Sequence, residues 1–247
     1  MTAPIPRDLP DLPAVPGPPA LLPAPVPAMA VLPPVRRPAT AAFRLLTALL
    51  AATGVTLELA TGDITRTLSY FTLQSSILLA AVLTLSAHRA WTAGRPLPPA
   101  VTGAALLYAV TTALVHHLLL TNTASPYALT STPTGLHALA GHLLHTAVPL
   151  AVAADWLLLT APGRLRLRHA AAWLAYPLAY LAFSLVRGEL LLPGTPARYL
   201  YPFLDVDAHG YRSVLGNTLL LGLAGYAVAA LLVGADHARP NPLRCRH

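Results

Sequence analysis

The sequence has little charge, no lysine and a single cysteine. Charged residues make up 10% of the 247 positions, whereas soluble domains average roughly 25%. A compact soluble fold would have too little polar surface to cover a chain that is 55% hydrophobic. The one thiol, Cys245, excludes an intrachain disulfide and a cysteine metal cluster. These absences together indicate an integral membrane protein.

Proline is concentrated in the N-terminal segment, where residues 1–38 hold 13 of the 26 prolines. Proline lacks the amide hydrogen that helices and sheets need, so this composition favours polyproline II or disorder. No unbroken apolar core follows a basic start, which argues against a secretory signal. We predict a Pro-rich, disordered cytoplasmic tail over residues 1–40, with a Pro-rich docking ligand as the alternative role.

Six apolar segments follow the tail, each near the roughly 20 residues that a helix needs to cross the hydrocarbon core. Turn signals rich in glycine and proline separate them. The sequence therefore predicts an all-α, polytopic fold, with a six-transmembrane-helix domain over residues 41–236 and a basic cytoplasmic tail over residues 237–247. The predicted spans cover residues 42–60, 69–90, 100–120, 136–159, 170–186 and 213–234.

All 16 basic residues are arginine, and they are distributed unevenly between the two sides of this predicted topology. One side holds ten: Arg36, Arg37, Arg89, Arg95, Arg164, Arg166, Arg168, Arg239, Arg244 and Arg246. The other side holds four: Arg66, Arg187, Arg198 and Arg212. The positive-inside rule then predicts a multi-pass plasma-membrane protein with both termini in the cytoplasm. The pI near 10.1 reflects this topology, and we predict no nucleic-acid partner.

Three histidines, His137, His142 and His145, interrupt the apolar run of the fourth span. Titratable groups are costly inside a membrane and by default suggest a functional site. From the helical rise, His145 would lie roughly 12 to 14 Å below the outer end of its helix. Asp155, near the cytoplasmic end, would be explained by a buried cap or an arginine pair. The outer halves of the other spans also carry polar residues, which predicts a shared pocket facing the outer leaflet: Glu58, Thr72, Ser75, Ser76, His116, His117, Arg187 and Asn217.

Thr72 and His145 have the residue types and depths that nucleophilic catalysis needs. A hydroxyl nucleophile requires a base within hydrogen-bond reach, and such a pair at the lipid interface would suit hydrolysis of an ester carried by an amphiphile. The alternative for Thr72 is a bond to its own backbone or between helices. A rim arginine, Arg187 or Arg198, could hold a fatty carboxylate. The candidates for substrate binding or support of the site are Glu58, His116, His117, His142, Arg187 and Asn217.

The same histidines permit a second interpretation, a non-enzymatic or haem- or metal-binding membrane protein. Haem in helical membrane proteins is ligated by histidines of facing helices, and His116 or His117 could pair with His142 or His145. Zinc could bind three histidines and a carboxylate such as Glu58. The spacing does not decide between these interpretations, whereas the hydrolase would need no cofactor.

Three stretches of the sequence resemble the androgen-induced-gene family of multi-pass membrane proteins, in its bacterial six-span branch. They are YFTLQSS at residues 70–76, HTAVP at 145–149 with DW at 155–156, and WLAYP at 173–177 leading through RG at 187–188 to YPFLD at 201–205. Animal members of this family are threonine hydrolases that cleave fatty acid esters of hydroxy fatty acids. The resemblance therefore implies an amphiphilic lipid ester as the substrate, Thr72 as the nucleophile and His145 as the catalytic histidine.

Overall fold

A computed structural model describes residues 35–129 and 133–240 of the chain. The described part is predominantly helical, contains no strand, and has six helices long and apolar enough to span a membrane. This confirms the prediction of an all-α, six-transmembrane-helix bundle. The six helices are α1 (Pro38–Thr61), α2 (Phe71–Trp91), α3 (Pro99–Leu120), α4 (Gly135–Leu159), α5 (Leu167–Leu190) and α6 (Val206–Ala238).

Both outer boundaries of the helical domain differ from the prediction. α1 begins at Pro38, so residues 38–40 belong to the helix rather than to the tail. Proline suits this position because an N–H in the first turn has no intrahelical partner. At the other boundary, α6 runs on to Ala238. The predicted tails otherwise lie largely outside the described residues.

The largest difference lies at the start of α6, which begins at Val206 rather than near residue 213. The Asp205 side chain caps it by accepting a hydrogen bond from the Ala208 amide at 3.1 Å. Gly210 has a φ of 71°, a left-handed conformation that glycine adopts without steric cost. Gly210 therefore separates a polar first turn from the long apolar helix, and hydropathy alone detects only the apolar part.

Two prolines inside the helices release backbone carbonyl groups. A proline has no N–H to donate to the carbonyl four residues earlier. For Pro177 that carbonyl belongs to Trp173, and it accepts instead from the Tyr108 hydroxyl at 2.8 Å. For Pro149 it belongs to His145, and the five residues Leu143–Ala147 just before Pro149 form a π-helical turn. Each proline therefore marks a local departure from regular α-helix.

Six crossings bring the start of α1 and the end of α6 to one end of the bundle, here named the terminal end. Beneath it, alanines of α1 pack on α2, α3 and α4 in an apolar core that includes Ala51, Leu106 and Val148. The connections between α1 and α2, α3 and α4, and α5 and α6 lie at the opposite end. There the α5–α6 connection folds inward, and Phe203 packs against Val214.

Buried ion pairs join helices near the terminal end. Arg44 on α1 donates to Asp155 on α4 at 2.7 Å, which confirms the arginine pair predicted for Asp155. On α6, the Asp236 carboxylate is 1% exposed and accepts from the Arg164 and Leu165 amides at 2.7 and 2.9 Å. Its other oxygen pairs with Arg239. The charges thus connect α1 to α4 and α6 to the α4–α5 connection.

Candidate active site

Thr72 and His145 meet at the opposite end of the bundle. Thr72 lies in the first turn of α2 and is 8% exposed. Its hydroxyl oxygen is 3.3 Å from Nε2 of His145 on α4. On the other side of the ring, Nδ1 lies 3.1 Å from the carbonyl oxygen of Gly141. A carbonyl only accepts, so Nδ1 carries the hydrogen and the Nε2 lone pair faces the Thr72 hydroxyl.

The start of α2 is held in place by hydrogen bonds to the backbone that precedes it. The Gln74 side chain donates to the Leu68 carbonyl at 3.1 Å, and the Tyr180 hydroxyl donates to the Ser69 carbonyl at the same distance. Thr72 therefore occupies a fixed position in a helical turn whose N–H groups lack intrahelical partners. These groups carry partial positive charge and would stabilise a negative charge that develops near Thr72.

A second histidine lies against the pair. His116 begins a π-helical turn at the end of α3, and its ring stacks on that of His145 with centroids 3.9 Å apart and an interplanar angle of 14°. His145 itself belongs to the π-helical turn Leu143–Ala147. Single π-helical turns inside α-helices occur frequently at functional sites. His116 thus packs against the face of the His145 imidazole and helps to hold it in position.

Thr72, His116 and His145 all line one cavity of about 180 Å³. The rest of its wall is predominantly apolar or aromatic and comes from Phe71 of α2 and from α3, α5, α6 and the α5–α6 connection. Leu107 and Tyr108 form part of the wall on α3, and Phe203 closes it on the connection. The arrangement is a hydroxyl–imidazole pair at the wall of a predominantly apolar cavity.

The Tyr201 side chain also lines this cavity, beside Thr72. Burial raises the pKa of Tyr201 to about 12, and the nearby Thr72 side chain and backbone offset part of that rise. The phenol is therefore neutral at physiological pH and retains a hydrogen to donate. Tyr201 lies in the YPFLD stretch, but the sequence does not indicate how deeply a tyrosine in a connection is buried. Sequence reasoning therefore missed this neighbour of Thr72.

Three of the other predicted site residues lie outside the cavity, and two of them have partners there. Glu58 lies 3.3 Å from Nδ1 of His137 at the rim, and His117 bonds to the Thr146 hydroxyl at 3.0 Å. His142 is exposed. The structure thus places these side chains near the same end of the bundle without bringing them to Thr72.

Arg187 and Asn217 hold the α5–α6 connection. The Arg187 guanidinium donates to the carbonyls of Ala197 and Arg198 at 3.2 and 3.1 Å. The Asn217 side chain accepts from the Tyr127 hydroxyl at 2.9 Å and donates to the Phe203 carbonyl at 3.2 Å. Of the predicted polar set, only Thr72, His116 and His145 therefore line the cavity. Fewer polar side chains line the cavity than the sequence predicts, because most of the others form hydrogen bonds or ion pairs with partners outside it.

The geometry gives little support to a metal or haem site. Among residues 35–129 and 133–240, no three His, Cys, Asp or Glu side chains lie close enough together to hold a metal ion. Stacking also turns the faces of His116 and His145 toward each other, whereas axial haem ligands direct their ring nitrogens at the iron.

Comparisons of the chain with models of known protein families, with curated proteins and with solved structures gave no match. The class of the protein rests on its fold and site geometry: it is a multi-pass helical membrane protein with a hydroxyl–imidazole pair at an apolar cavity.

Proposed function

We propose that this protein is a membrane hydrolase of fatty acyl esters, with Thr72 as the nucleophile and His145 as the general base. The observation that carries the proposal is the 3.3 Å contact between the Thr72 hydroxyl and Nε2 of His145 at the wall of an apolar cavity. The resemblance of the sequence to the androgen-induced-gene family, whose animal members perform this chemistry, also supports the proposal.

In the first half of the proposed reaction, the Thr72 oxygen attacks the ester carbonyl carbon and its proton passes to Nε2 of His145. The Gly141 carbonyl, which accepts from Nδ1, would stabilise the imidazolium that forms. The oxyanion would lie near the first-turn N–H groups of α2 and the Tyr201 hydroxyl. Collapse of the intermediate breaks the ester C–O bond, His145 returns its proton to the leaving alkoxide, and the acyl group remains on Thr72.

In the second half, a water molecule attacks the acyl-threonine and gives a proton to His145. The tetrahedral intermediate collapses, the Thr72 oxygen regains its proton, and the fatty acid is released. Water is the only co-reactant, so the balance of atoms requires no metal or redox partner. The apolar wall would hold the acyl chain while its carbonyl group lies at Thr72.

The arginine bias supports a location for this chemistry. The predicted cytoplasmic side has ten arginines and the other side four. By the positive-inside rule, the terminal end would face the cytoplasm and the Thr72 site would lie toward the outer leaflet of the plasma membrane. The bilayer would then be the source of the substrate.

Activity-based labelling of the full-length protein in phospholipid vesicles tests the proposal. An alkyl fluorophosphonate should label the parent, and labelling should be lost in Thr72→Val and His145→Ala. Thr72→Ser should retain it, because a hydroxyl remains. The matched control is Thr84→Val, since the Thr84 hydroxyl on the same helix only bonds to the Ala80 carbonyl at 2.8 Å. Equal labelling of Thr72→Val and Thr84→Val would refute the assignment, as would a Soret band in the purified protein.

A further inference from the structure

The wall of the Thr72 cavity is buried on one side and exposed on the other. Leu107 and Tyr108 on α3 are 2% and 5% exposed. Across the cavity, Leu178 on α5 is 57% exposed, and Leu221 and Gly222 on α6 are partly exposed. Residues that line the cavity and are also exposed mark the part of the wall where only a single layer of side chains separates the cavity from the surface. The opening of the cavity therefore lies between α5 and α6.

The packing of α5 and α6 gives this opening two boundaries. Toward the terminal end, Trp173 of α5 and Val233 of α6 belong to one buried cluster. Toward the opposite end, Phe203 of the connection packs on Val214 of α6. Between these contacts, the backbones of Ala175–Leu190 and α6 lie apart, and Leu181 and Leu221 reach only the shared cluster around Tyr180 and Val214. We name this gap the α5–α6 window and define it by Leu178, Leu181, Leu221 and Gly222.

The window lies halfway along both helices. Leu178 is near the midpoint of Leu167–Leu190, and Gly222 is at the midpoint of Val206–Ala238. The residues that flank it on the outer surface are also apolar and exposed, among them Leu219 and Leu223 at 65% and 59%. In a membrane-spanning helix, this depth corresponds to the hydrocarbon core rather than to the aqueous interface. The window therefore faces lipid chains and not water.

We infer that the α5–α6 window admits a single acyl chain directly from the bilayer into the Thr72 cavity. The chemical class of the ligand follows from the wall, which is predominantly apolar although it includes Thr111, Thr112 and Thr218 besides Thr72, His116 and His145. As a route for substrate, the inference rests on the proposed hydrolase function. Binding of a chain at the window does not require catalysis and can be measured alone.

The size of the cavity indicates how such a ligand would be held. Its volume of about 180 Å³ is below the roughly 300 to 1,000 Å³ of sites that enclose drug-sized ligands. Only the part of the chain near the reacting carbonyl would fit inside, and the remainder would extend through the window into the bilayer. An ester with one linear chain at the carbonyl fits this arrangement, whereas a bulky acyl group such as a sterol acid does not.

Photo-crosslinking tests chain binding directly. Full-length protein in phosphatidylcholine vesicles is irradiated with a fatty acid that carries a diazirine midway along its chain, and modified residues are mapped by mass spectrometry. Exposed leucines such as Leu219 will react with any lipid chain. The diagnostic residue is Leu107, which is buried but lines the cavity. Its matched control is the neighbouring Leu106, which is equally buried at 2% and does not line it. Modification of Leu107 without Leu106 is expected, and modification confined to exposed residues would overturn the inference.

Gly222 allows the window to be closed without a steric clash. A Cβ atom built at Gly222 meets nothing within 4 Å, and the same is true of Gly216 on the same helix, which does not line the cavity. Gly222→Trp should lower crosslinking at Leu107 relative to Gly216→Trp by about tenfold, the loss expected when two methylene groups are no longer buried. Gly222→Leu should give a smaller loss in the same direction. Equal crosslinking in Gly222→Trp and Gly216→Trp would contradict the window.

The two proposals fail separately in this design. Thr72→Val should keep the Leu107 crosslink, because the chain binds without reacting. If Leu107 is crosslinked while fluorophosphonate labelling does not depend on Thr72, the window stands and the hydrolase is wrong. If labelling depends on Thr72 and Leu107 is never modified, the hydrolase stands and the window is wrong.

Discussion

At the scale of single residues, the candidate site depends on which ring nitrogen of His145 carries the hydrogen. The Gly141 carbonyl fixes it on Nδ1 at 3.1 Å, which leaves Nε2 free to accept from Thr72. In many hydroxyl–imidazole pairs a carboxylate performs this orienting role. Here a backbone carbonyl of the same helix performs it, so the base is oriented without a third charged side chain in the membrane.

Tyr201 provides a test of how a negative charge would be stabilised at Thr72. Tyr201→Phe removes the hydroxyl and keeps the ring, so the aromatic packing of the connection should survive. We expect the rate of fluorophosphonate labelling to fall by about 100-fold, the usual cost of losing one oxyanion donor. Labelling kinetics under pseudo-first-order conditions measure this effect.

Tyr199 supplies the matched control for that change. It lies two residues away, and its hydroxyl donates to Glu189 at 2.8 Å instead of approaching Thr72. Tyr199→Phe should therefore label at the parent rate. If Tyr201→Phe and Tyr199→Phe label equally fast, Tyr201 has no part in stabilising the oxyanion.

Residue types in the sequence indicated Thr72 and His145 but not the partners of the other polar groups. Depth along a helix can be counted from the sequence, which is why the two residues were predicted at compatible depths. The direction of each side chain around its helix depends on packing, and Glu58 therefore pairs with His137 at the rim. Nothing in the sequence indicates that the Gly141 carbonyl orients His145, because every helical residue has a backbone carbonyl.

At the scale of elements, the turn Leu143–Ala147 and Pro149 act together to position His145. Pro149→Ala would restore an N–H that can donate to the His145 carbonyl, and the turn could relax to regular α-helix. We expect labelling to fall by about 100-fold, since a shift of 1 Å in a reacting group has an effect of this size. Thermal unfolding should be unchanged or occur at a higher temperature.

Pro99 is the control for this substitution, because it occupies the first turn of α3, where its missing N–H would have no partner. Pro99→Ala should leave the labelling rate as it is. An unaltered rate in Pro149→Ala would mean that the π-helical turn does not depend on the proline.

The helices themselves were predictable because membrane crossing demands about 20 apolar residues, a signal that survives errors at the ends. The π-helical turns were not predictable, because one extra residue in a uniformly apolar helix does not change its hydropathy. The early start of α6 was missed for a related reason. Its first turn is polar and is stabilised by the Asp205 cap, which hydropathy does not register.

At the scale of the whole molecule, Asp236 is the most buried of the charged side chains described at the terminal end. Its carboxylate is buried, joins α6 to the α4–α5 connection through the Arg164 and Leu165 amides, and pairs with Arg239 at the end of α6. Asp236→Asn leaves the Arg239 charge without its partner, and breaking a buried pair in this way costs about 3 kcal/mol. The free energy of unfolding, measured by denaturant titration in micelles, should fall by that amount.

Asp207 offers the comparison at the opposite end. It pairs with Arg198 at 2.7 Å but is half exposed, and exposed pairs contribute less than about 1 kcal/mol. Asp207→Asn should therefore change the free energy of unfolding little. A similar loss in both variants would show that burial of Asp236 is not what makes its pair important.

The overall architecture followed from the count of apolar segments, whereas the cavity did not. A cavity depends on where neighbouring helices fail to touch, and no composition of a single helix reports on its distance from the next. Leu178 and Gly222 are ordinary residues of apolar spans in the sequence. Only the divergence of α5 from α6 makes them the edges of an opening.

The π-helical turn of α4 also bears on how such a site could arise. One residue inserted into a regular α-helix is enough to create a turn of this kind, while the segments before and after it keep their own packing. His145 could thus be turned toward Thr72 without disturbing the core around Val148 or the Arg44–Asp155 pair. A structural membrane helix would in this way need a single insertion, rather than a new fold, to present an imidazole to a neighbouring hydroxyl.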